Sequence, residues 1–470
     1  MSLKNPQTLS GGSFAEVFRI ALPLILSNSC HAVNMFTDRL MLTHFSREAV
    51  AAAFTGGLTN FTISCIFVGT IGYPGTFVAQ YEGAGRRDRI GSAVWQGIWM
   101  SVIGGMLLLS GIFWARPMFE LFGHDPAVTE QETTYFQILC RGGIVYLLIG
   151  AVSSFWTGRG KTALVLAVSF IITLFNLPLN YIFIFGKLGL RPMGIAGAAW
   201  GTVLAALIGL GIYFALFFSP KARKNFATGR AAVECELFRR MIHYGLPNGI
   251  QLMLDLLAFN TFSLLLGCYG VAVHEASSIA FGINNIAFCP IIGIGMTVSI
   301  LAGQGVGAGN IPFARKSMRN GMLIVMVYTL IMILLFTVFQ RMVLAPFVRS
   351  GDPEQAEAIR MAGYMLCFIS FYLLFDGVSI TVSNALRGAG DTRFPMWTIT
   401  VVGLLCFAAP CLLLYFMKQP WWSLWLALDA EVILLSVIFS LRYLGGKWTR
   451  MRVIEEEAVI DAEALRGGGE

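Results

Sequence analysis

Long apolar stretches, separated by short polar or glycine-rich connections, follow one another along nearly the whole 470-residue chain. Each stretch is long enough for a helix to cross about 30 Å of hydrocarbon, which takes roughly 20 residues. The pattern predicts twelve membrane-spanning helices, at about residues 17–40, 50–78, 92–115, 133–157, 162–185, 194–218, 241–268, 276–303, 320–346, 361–386, 394–417 and 422–444. The predicted fold class is therefore all-α, in an integral membrane protein.

The two halves of the chain carry the same landmarks in the same order. Leu22 and Pro23 recur as Leu246 and Pro247, 224 residues later. The same or a slightly longer offset relates Asn60 to Asn284, Gly69 to Gly293, Gln80 to Gln304, residues 83–85 to 307–309, and residues 158–162 to 388–392. Because each half has an even number of spans, both halves enter the membrane in the same orientation, as a parallel repeat. We predict two six-helix lobes, at residues 1–225 and 226–450, with substrate bound between them.

Positive charge is concentrated on one side of the predicted spans. Most of the 33 Lys and Arg residues fall on the side of the two termini, notably at residues 86–89, 221–240 and 315–319. The positive-inside rule therefore predicts that both termini are cytoplasmic. The net charge of +7 then reflects topology, and no nucleic-acid partner is expected. Residues 451–470 lack apolar periodicity and are predicted to form a disordered cytoplasmic tail.

The seventh apolar stretch contains a carboxylate near its centre, Asp255. A charged side chain at that depth costs about 2.5–3.5 kcal/mol on insertion scales and by default marks an ion or substrate path. Asn248, Gln251 and Asp255 follow at i, i+3 and i+7, which places them on one helix face. This polar stripe is predicted to face protein or water and not lipid.

The tenth stretch carries a second cluster, in which Tyr372 precedes Asp376 by about one helical turn. Two carboxylates and a phenol oxygen can hold a hard cation such as sodium. Alternatively, the two acids share a proton, because two like charges in a dry site cannot both ionise, or the cluster only stabilises helix packing. We predict that Asp255, Tyr372 and Asp376 form a cation site in the second half.

The first half offers a different polar set. Asn176 and Asn180 share one face of the fifth predicted span, and with Asp38 and Thr202 they form a candidate first-half cation site. Amide pairs also commonly join membrane helices, so a purely structural role stays open. The repeat offset does not pair Asp38 with Asp255. The halves are therefore predicted to share an architecture without sharing an identical site.

Three other features have structural interpretations. Asp429 and Glu431 are predicted to lie at a solvated helix end near the outer surface. Residues 303–309, with a glycine at every second position, are predicted to form a tight cytoplasmic turn, because a nucleotide-binding loop would follow a strand. Residues 388–391 read Gly-Ala-Gly-Asp, as in an intramembrane aspartyl protease, but this remote alternative places the acid in a predicted cytoplasmic turn.

As a set, these residues resemble the multidrug and toxic compound extrusion (MATE) transporters, and more closely their bacterial NorM-like branch. The similarity covers about residues 15–448. It is carried by Leu22-Pro23, Met35-Phe36-Thr37-Asp38, Asn176-Leu177-Pro178-Leu179-Asn180, Gly201-Thr202, Leu246-Pro247 followed by Asp255, and Asp376 followed by Leu386-Arg387-Gly388-Ala389-Gly390-Asp391-Thr392.

The resemblance implies a secondary active antiporter of the bacterial inner membrane, acting as a monomer, with membrane lipid as its surroundings. It would export lipophilic, mostly cationic drugs by alternating access, without catalytic residues or a cofactor. Entry of an extracellular cation, sodium in preference to a proton, would drive export. A lipid-linked saccharide flippase of related architecture is the alternative, and it would be expected to line its cavity with basic residues.

Carried over by position, the resemblance also assigns site residues. The coupling cation would bind Asp38, Asn176, Asn180, Thr202, Asp255, Tyr372 and Asp376. The substrate would contact Asn34, Asn248, Gln251, Asp255, Phe259 and Asp376. Two positions differ from the family pattern: the NorM-like branch typically has Glu at the position of Asp255, and a proton-coupled branch has Asp at the position of Asn180.

Overall fold

The computed structural model describes residues 11–121, 123–347 and 353–455, and regular structure in these ranges is helical. The first half contains α1 (Phe14–Thr43), α2 (Arg47–Gly72), α3 (Pro74–Gly83), α4 (Asp88–Glu120), α5 (Pro126–Thr157), α6 (Thr162–Phe185), α7 (Gly194–Phe217) and α8 (Pro220–Phe226). The second half contains α9 (Cys235–Gly267), α10 (Val271–Gly307), α11 (Ile311–Thr337), α12 (Gln340–Leu344), α13 (Pro353–Ala389), α14 (Arg393–Val402), α15 (Ala409–Phe416) and α16 (Trp422–Leu444). A π-helical segment, Gly403–Ala408, joins α14 to α15.

Eleven spans in the described part of the chain are long and apolar enough to cross a membrane. One of them combines α2 with α3, and another combines α14, the π-helical segment and α15. The twelfth predicted span is α1, which is 30 residues long but more polar, because it carries His31, Asn34 and Asp38. The all-α membrane fold is confirmed, whereas the predicted span at 320–346 is misplaced, since α11 already ends at Thr337.

Pairs of close helix contacts reproduce the internal repeat in three dimensions. Gly69 of α2 lies against Gly249 of α9, so closely that a Cβ at Gly69 would come within 2.6 Å of the Gly249 Cα atom. Gly293 of α10 lies against Ile25 of α1, where a Cβ would come within 2.5 Å of the Ile25 side chain. Gly293 lies 224 residues after Gly69, and Gly249 lies 224 residues after Ile25, so the two contacts are equivalent in the repeat. Glycine permits this close approach of two membrane helices, and the predicted parallel repeat of two lobes is confirmed.

The lobes also meet at the end of the bundle that carries Arg86, Arg87 and the connection 221–234, here called the basic end. Gly83 of α3 lies against the Gln304 carbonyl of α10, and Gly307 of α10 lies against the Gln80 carbonyl of α3. A Cβ at either glycine would overlap the opposing carbonyl. This geometry corrects the prediction for residues 303–309, because α10 stays helical through Gly307 and its glycines permit helix packing instead of a turn.

Two glutamine side chains connect the lobes at the basic end. The Gln80 amide donates to the carbonyl oxygens of Gly388, at 3.0 Å, and Ala389, at 3.3 Å. The Gln304 amide donates to the Gly158 carbonyl oxygen at 2.9 Å. Gln80 and Gln304 are equivalent in the repeat, and so are Gly158 and Gly388. One buried glutamine amide of each lobe therefore donates to the glycine-rich segment of the other lobe, and we call these three hydrogen bonds the glutamine crossing.

Residues 451–455 pack against the basic end, so the predicted disordered tail does not begin at residue 451. Val453 and Ile454 are buried, and the Val453 backbone N–H donates to Gln80 Oε1 at 2.9 Å. The Glu455 carboxylate accepts hydrogen bonds from the Tyr81 hydroxyl at 2.8 Å and from Arg89 at 3.1 Å. The buried apolar pair and these polar contacts hold the segment in place, and the rest of the predicted tail lies outside the described residues.

We expect Glu455→Ala to release residues 451–455 and to increase cleavage by trypsin after Arg450 and Arg452, because cleavage requires local opening of the segment. Burial alone would raise the pKa of Glu455, but hydrogen bonds from its own backbone, Tyr81 and Arg89, with the positive charge of Arg89, lower it overall. The stabilisation of the segment by this carboxylate is thus complete at pH values above the ordinary pKa of Glu, about 4.3. It is lost as the pH falls through the lowered pKa. Digestion followed by mass spectrometry measures the effect.

The matched control is Glu236→Ala, which removes an exposed acid that has no ion pair among the described residues. Equal cleavage of the two variants would mean that Glu455 does not hold the segment.

Candidate functional site

The residues predicted for the first-half site meet between α1, α6 and α7. The Asp38 carboxylate accepts hydrogen bonds from the Asn180 amide and, at 3.2 Å, from the Thr202 hydroxyl. Asn176 donates to Thr202 Oγ1 at 3.1 Å and accepts from Asn180 at 3.3 Å. All four side chains belong to one connected network, so the same-face argument placed them correctly, while their role as cation ligands stays a prediction.

The two asparagines are the buried part of this network. Asn176 and Asn180 are 1% and 0% exposed, on a helix that continues through Pro178. Gly201 of α7 leaves room for the Asn180 carboxamide, since a Cβ there would overlap Asn180 Oδ1. Asn180 Oδ1 is buried and has no hydrogen-bond donor among the described residues. A buried acceptor without a donor is costly, and a bound cation would satisfy it.

Two tyrosines of α5 complete the surroundings of Asp38. The phenols of Tyr135 and Tyr146 both lie within electrostatic range of the Asp38 carboxylate, and the Tyr146 hydroxyl donates to the Thr202 carbonyl at 3.2 Å. The sequence analysis missed both residues. Their separation of eleven residues, about three helical turns, is the signal that places them on one face of α5.

We expect Thr202→Val to destabilise the protein by about 1–3 kcal/mol, the usual cost of leaving buried polar partners unsatisfied. The change keeps the side-chain shape but removes a donor to Asp38 and the acceptor of the Asn176 amide. Thermal unfolding of the purified protein measures the effect. Thr37→Val is the control, because that hydroxyl bonds only to carbonyls of its own helix, and an equal loss in both variants would contradict a connected network at Asp38.

The residues predicted for the second-half site are also close to one another. Asp376 of α13 is within electrostatic range of Asp255 of α9 and of Tyr372. Tyr372 is buried, Asp376 is partly exposed, and Asp255 is exposed. Arg387 is the one basic residue within electrostatic range of Asp255 among the described residues, and Asp376 has no basic neighbour there. At least one acid of this cluster therefore lacks a basic partner among the described residues.

Two acids of α16 extend the second-half cluster, contrary to the prediction of a solvated helix end. Asp429 and Glu431 are only 5% and 8% exposed, because α16 begins at Trp422 and both acids lie two turns or more inside the helix. Glu431 is within electrostatic range of Asp255 and Asp376. Its carboxylate faces the π-helical segment, with Oε1 at 3.3 Å from the position of a Cβ at Gly403.

The predicted substrate contacts lie in different environments. The Asn248 amide donates to the Gly69 carbonyl at 2.7 Å, so it also joins the lobes where α9 crosses α2. Gln251 is buried beside Asp255, and the buried side-chain oxygen of Asn34 has no hydrogen-bond donor in the ranges that the structure describes. Phe259 is 42% exposed and packs edge-to-face on Phe281, with ring centroids 4.9 Å apart. The acids thus have polar and aromatic neighbours, as a cavity for organic cations requires.

The hydrogen bonds between the lobes, among the described residues, all lie between the Asn248 contact and the basic end. In addition to the glutamine crossing, the Tyr73 hydroxyl donates to the Arg387 carbonyl at 3.0 Å, and the Asn320 amide donates to the Gly12 carbonyl at 2.7 Å. Beyond Asn248, Asp255 and Phe259 on α9 are exposed. Hydrogen bonds therefore join the lobes at the basic end and, among the described residues, not at the opposite end.

Two repeated helical lobes, fastened at one end and carrying buried acids on their helices, define a two-lobed membrane transporter fold. The MatE family model matches residues 23–182 and 247–427. The chain therefore belongs to the MatE family, and it is a multi-pass membrane protein.

Curated relatives match over nearly their full length. The chain is 22% identical over 450 residues to a probable multidrug resistance protein NorM of Thermotoga maritima, covering 94% of this chain and 95% of that protein. It is 27% identical over 459 residues to a probable multidrug resistance protein NorM of Pseudomonas syringae pv. tomato, covering 94% and 96%.

Solved structures share the fold at lower identity. A MOP superfamily transporter from Pyrococcus furiosus superposes with a TM-score of 0.83 at 16% identity, covering 96% of this chain and 98% of that one. The eukaryotic MATE transporter AtDTX14 superposes with a TM-score of 0.80 at 18% identity, covering 93% and 96%. At these identities, the likeness establishes the architecture alone.

Proposed function

We propose that the protein is a secondary active efflux antiporter that exports lipophilic, mostly cationic drugs in exchange for an extracellular cation, with sodium favoured over a proton. It acts as a monomer in the bacterial inner membrane, with both termini in the cytoplasm and lobes at residues 1–225 and 226–450. Membership of the MatE family and the similarity to NorM proteins over 94% of the chain support this activity.

The observation that carries the proposal is the imbalance of charge in the second half. Asp255, Asp376 and Glu431 are within electrostatic range of one another, and Arg387 is the one basic residue in that range among the described residues. An uncompensated carboxylate within a membrane is costly. A bound cation or a cationic drug would remove the cost, so both compete for the same negative charge.

Exchange follows from this competition, because a ligand shifts a conformational equilibrium only through different affinities for the two states. In the proposed cycle, a drug binds the acids when the cavity is open to the cytoplasm. The lobes then close at the basic end, as in this structure, and open at the opposite end. A cation entering from outside replaces the drug on Asp255 and Asp376. It stays bound while the transporter returns to the state that is open to the cytoplasm.

The first-half network favours sodium over a proton as the coupling ion. Asn180 Oδ1, the Asp38 carboxylate and Thr202 Oγ1 supply oxygen ligands, which hard cations prefer, and Asn180 Oδ1 has no donor of its own. An amide does not bind a proton at neutral pH. Asp38, Asn176, Asn180 and Thr202 would thus hold one ion, while Asp255, Tyr372 and Asp376 hold another or release the drug.

The test is efflux of a fluorescent lipophilic cation from proteoliposomes, driven separately by a sodium gradient and by a pH gradient. We expect the sodium gradient to drive efflux. A response to the pH gradient alone would assign the proton as the coupling ion, and efflux under neither gradient would overturn the proposal.

Neither alternative function gains support from the charges of the site. A flippase for lipid-linked saccharides would need several basic groups near its substrate, whereas acids predominate around α9, α13 and α16. The acid of the protease-like pattern, Asp391, is 5% exposed and forms a 2.8 Å ion pair with Arg442. It is thus engaged in packing α13 against α16.

A further inference from the structure

A cavity of about 210 Å³ lies at the basic end of the first lobe, where α5, α7 and α8 meet. Polar side chains line one part of it, namely Arg159, Ser219, Lys221 and Asn225, and apolar side chains that include Trp156 and Leu216 line another part. The spans of α5 and α7 end at Thr157 and Phe217. The cavity therefore lies at the level where hydrocarbon gives way to lipid headgroups.

The guanidinium of Arg159 packs against aromatic rings in the wall of this cavity. It lies over the Phe226 ring, at 3.9 Å from the centroid, and over the Phe155 ring at 4.7 Å. Its side chain is 14% exposed, and its Nε atom lies 3.6 Å from Glu82 Oε2 without a hydrogen-bond acceptor among the described residues. Burial lowers the pKa of Arg159, and the Glu82 charge partly opposes this. An anion in the cavity would further stabilise the charged form.

Positive charge exceeds negative charge around the cavity. Glu82 is shared, because it also pairs with Arg87 at 3.8 Å, so it does not neutralise Arg159 fully. Lys221 is exposed at the rim, and no acidic side chain in the described part of the chain lines the cavity. Basic pockets between membrane helices at the cytoplasmic surface suit anionic headgroups, which gain both charge pairing and burial of the attached chain.

We propose that this cavity binds an anionic phospholipid, with the phosphate between Arg159 and Lys221 and the acyl chain along Leu216 and Trp156. The lipid acts on the contact between the lobes. Arg159 follows Gly158, whose carbonyl accepts the hydrogen bond of Gln304 from the second lobe. Holding Arg159 in place orients that carbonyl, so a bound anionic lipid favours the state that is closed at the basic end.

The experiment is native mass spectrometry of the purified protein titrated with phosphatidylglycerol, phosphatidylcholine of the same acyl chains, or inorganic phosphate. We expect tighter binding of phosphatidylglycerol than of either other probe. Each Lys or Arg near an anionic lipid surface contributes about fivefold in affinity. Lys221→Gln should therefore weaken phosphatidylglycerol binding about fivefold and Lys221→Glu about thirtyfold.

Lys224→Glu is the matched control, because this exposed lysine lies on α8 but does not line the cavity. We expect a change of less than about threefold, since its charge is screened by solvent. Equal binding of the two lipids, equal binding of inorganic phosphate, or an equal effect of Lys224→Glu and Lys221→Glu would each overturn the proposal. Binding is measured without transport, so the outcome does not depend on the proposed function.

Discussion

Asp376→Asn is expected to reduce sodium-driven dye efflux from proteoliposomes to the leak rate of empty liposomes, and Asp255→Asn should do the same. The amide keeps the size of the carboxylate but carries no charge. Neither the cation nor a cationic drug then has different affinities for the two conformational states, and exchange requires such a difference. Because Asp376 has no basic neighbour among the described residues, its loss also removes an unpaired acid from the membrane-spanning part of α13.

Asp376→Asn should unfold at the same temperature as the parent protein or at a higher one, so its loss of transport would not reflect loss of folding. Asp255→Asn should unfold at a lower temperature, because it leaves Arg387 without the acid within its electrostatic range. Glu48→Gln is the control, since Glu48 is exposed in the first turn of α2, and it should transport normally. Full activity in both Asp variants would remove the second-half site from the mechanism.

Gly83→Ala and Gly307→Ala are expected to open the basic end. The new Cβ would overlap the backbone carbonyl of Gln304 or of Gln80, and a backbone group cannot move aside as a flexible side chain does. Overpacking of this kind costs about 1–3 kcal/mol, which shifts the ratio of closed to open protein by about five- to 150-fold. Hydrogen–deuterium exchange should increase in the turns around Gly158 and Gly388.

The span that combines α2 with α3, and helix α10, provide matched controls. Gly72→Ala in α2 and Gly282→Ala in α10 add the same methyl group where no atom lies within 4 Å. These variants should show the same hydrogen–deuterium exchange as the parent protein. If Gly83→Ala also showed the hydrogen–deuterium exchange of the parent, the close approach of α3 and α10 would not hold the lobes together.

Helical periodicity placed Asn176 and Asn180 on one helix face, and the structure brings both together with Asp38 and Thr202, while the role of these residues as cation ligands stays a prediction. Tyr135 and Tyr146 were missed because nothing in the sequence shows that α5 packs against α7 and brings these tyrosines near Asp38. The depth of Asp429 and Glu431 was misjudged for a related reason. Counting residues from Trp421 gives a position along α16, but the packing of α16 against α13 and the π-helical segment determines burial.

Glycines and charges were open to more than one interpretation. The alternate glycines at 303–309 are compatible with either a turn or a close helix contact, and only the position of α3 distinguishes the two. The lack of apolar periodicity in residues 451–470 predicted a disordered tail, yet Val453 is 0% exposed. The acidic Glu455 stays at the surface of a basic cluster from distant parts of the chain. Such long-range charge pairing leaves no periodic signal in the sequence.

The glutamine crossing has a kinetic consequence. Gln80 donates to the carbonyl oxygens of Gly388 and Ala389, and Gln304 donates to that of Gly158, so three buried hydrogen bonds join the lobes there. Because the two donors belong to different lobes, full separation of the lobes at the basic end breaks all three bonds. We therefore expect the lifetime of the closed state to depend on both Gln80 and Gln304.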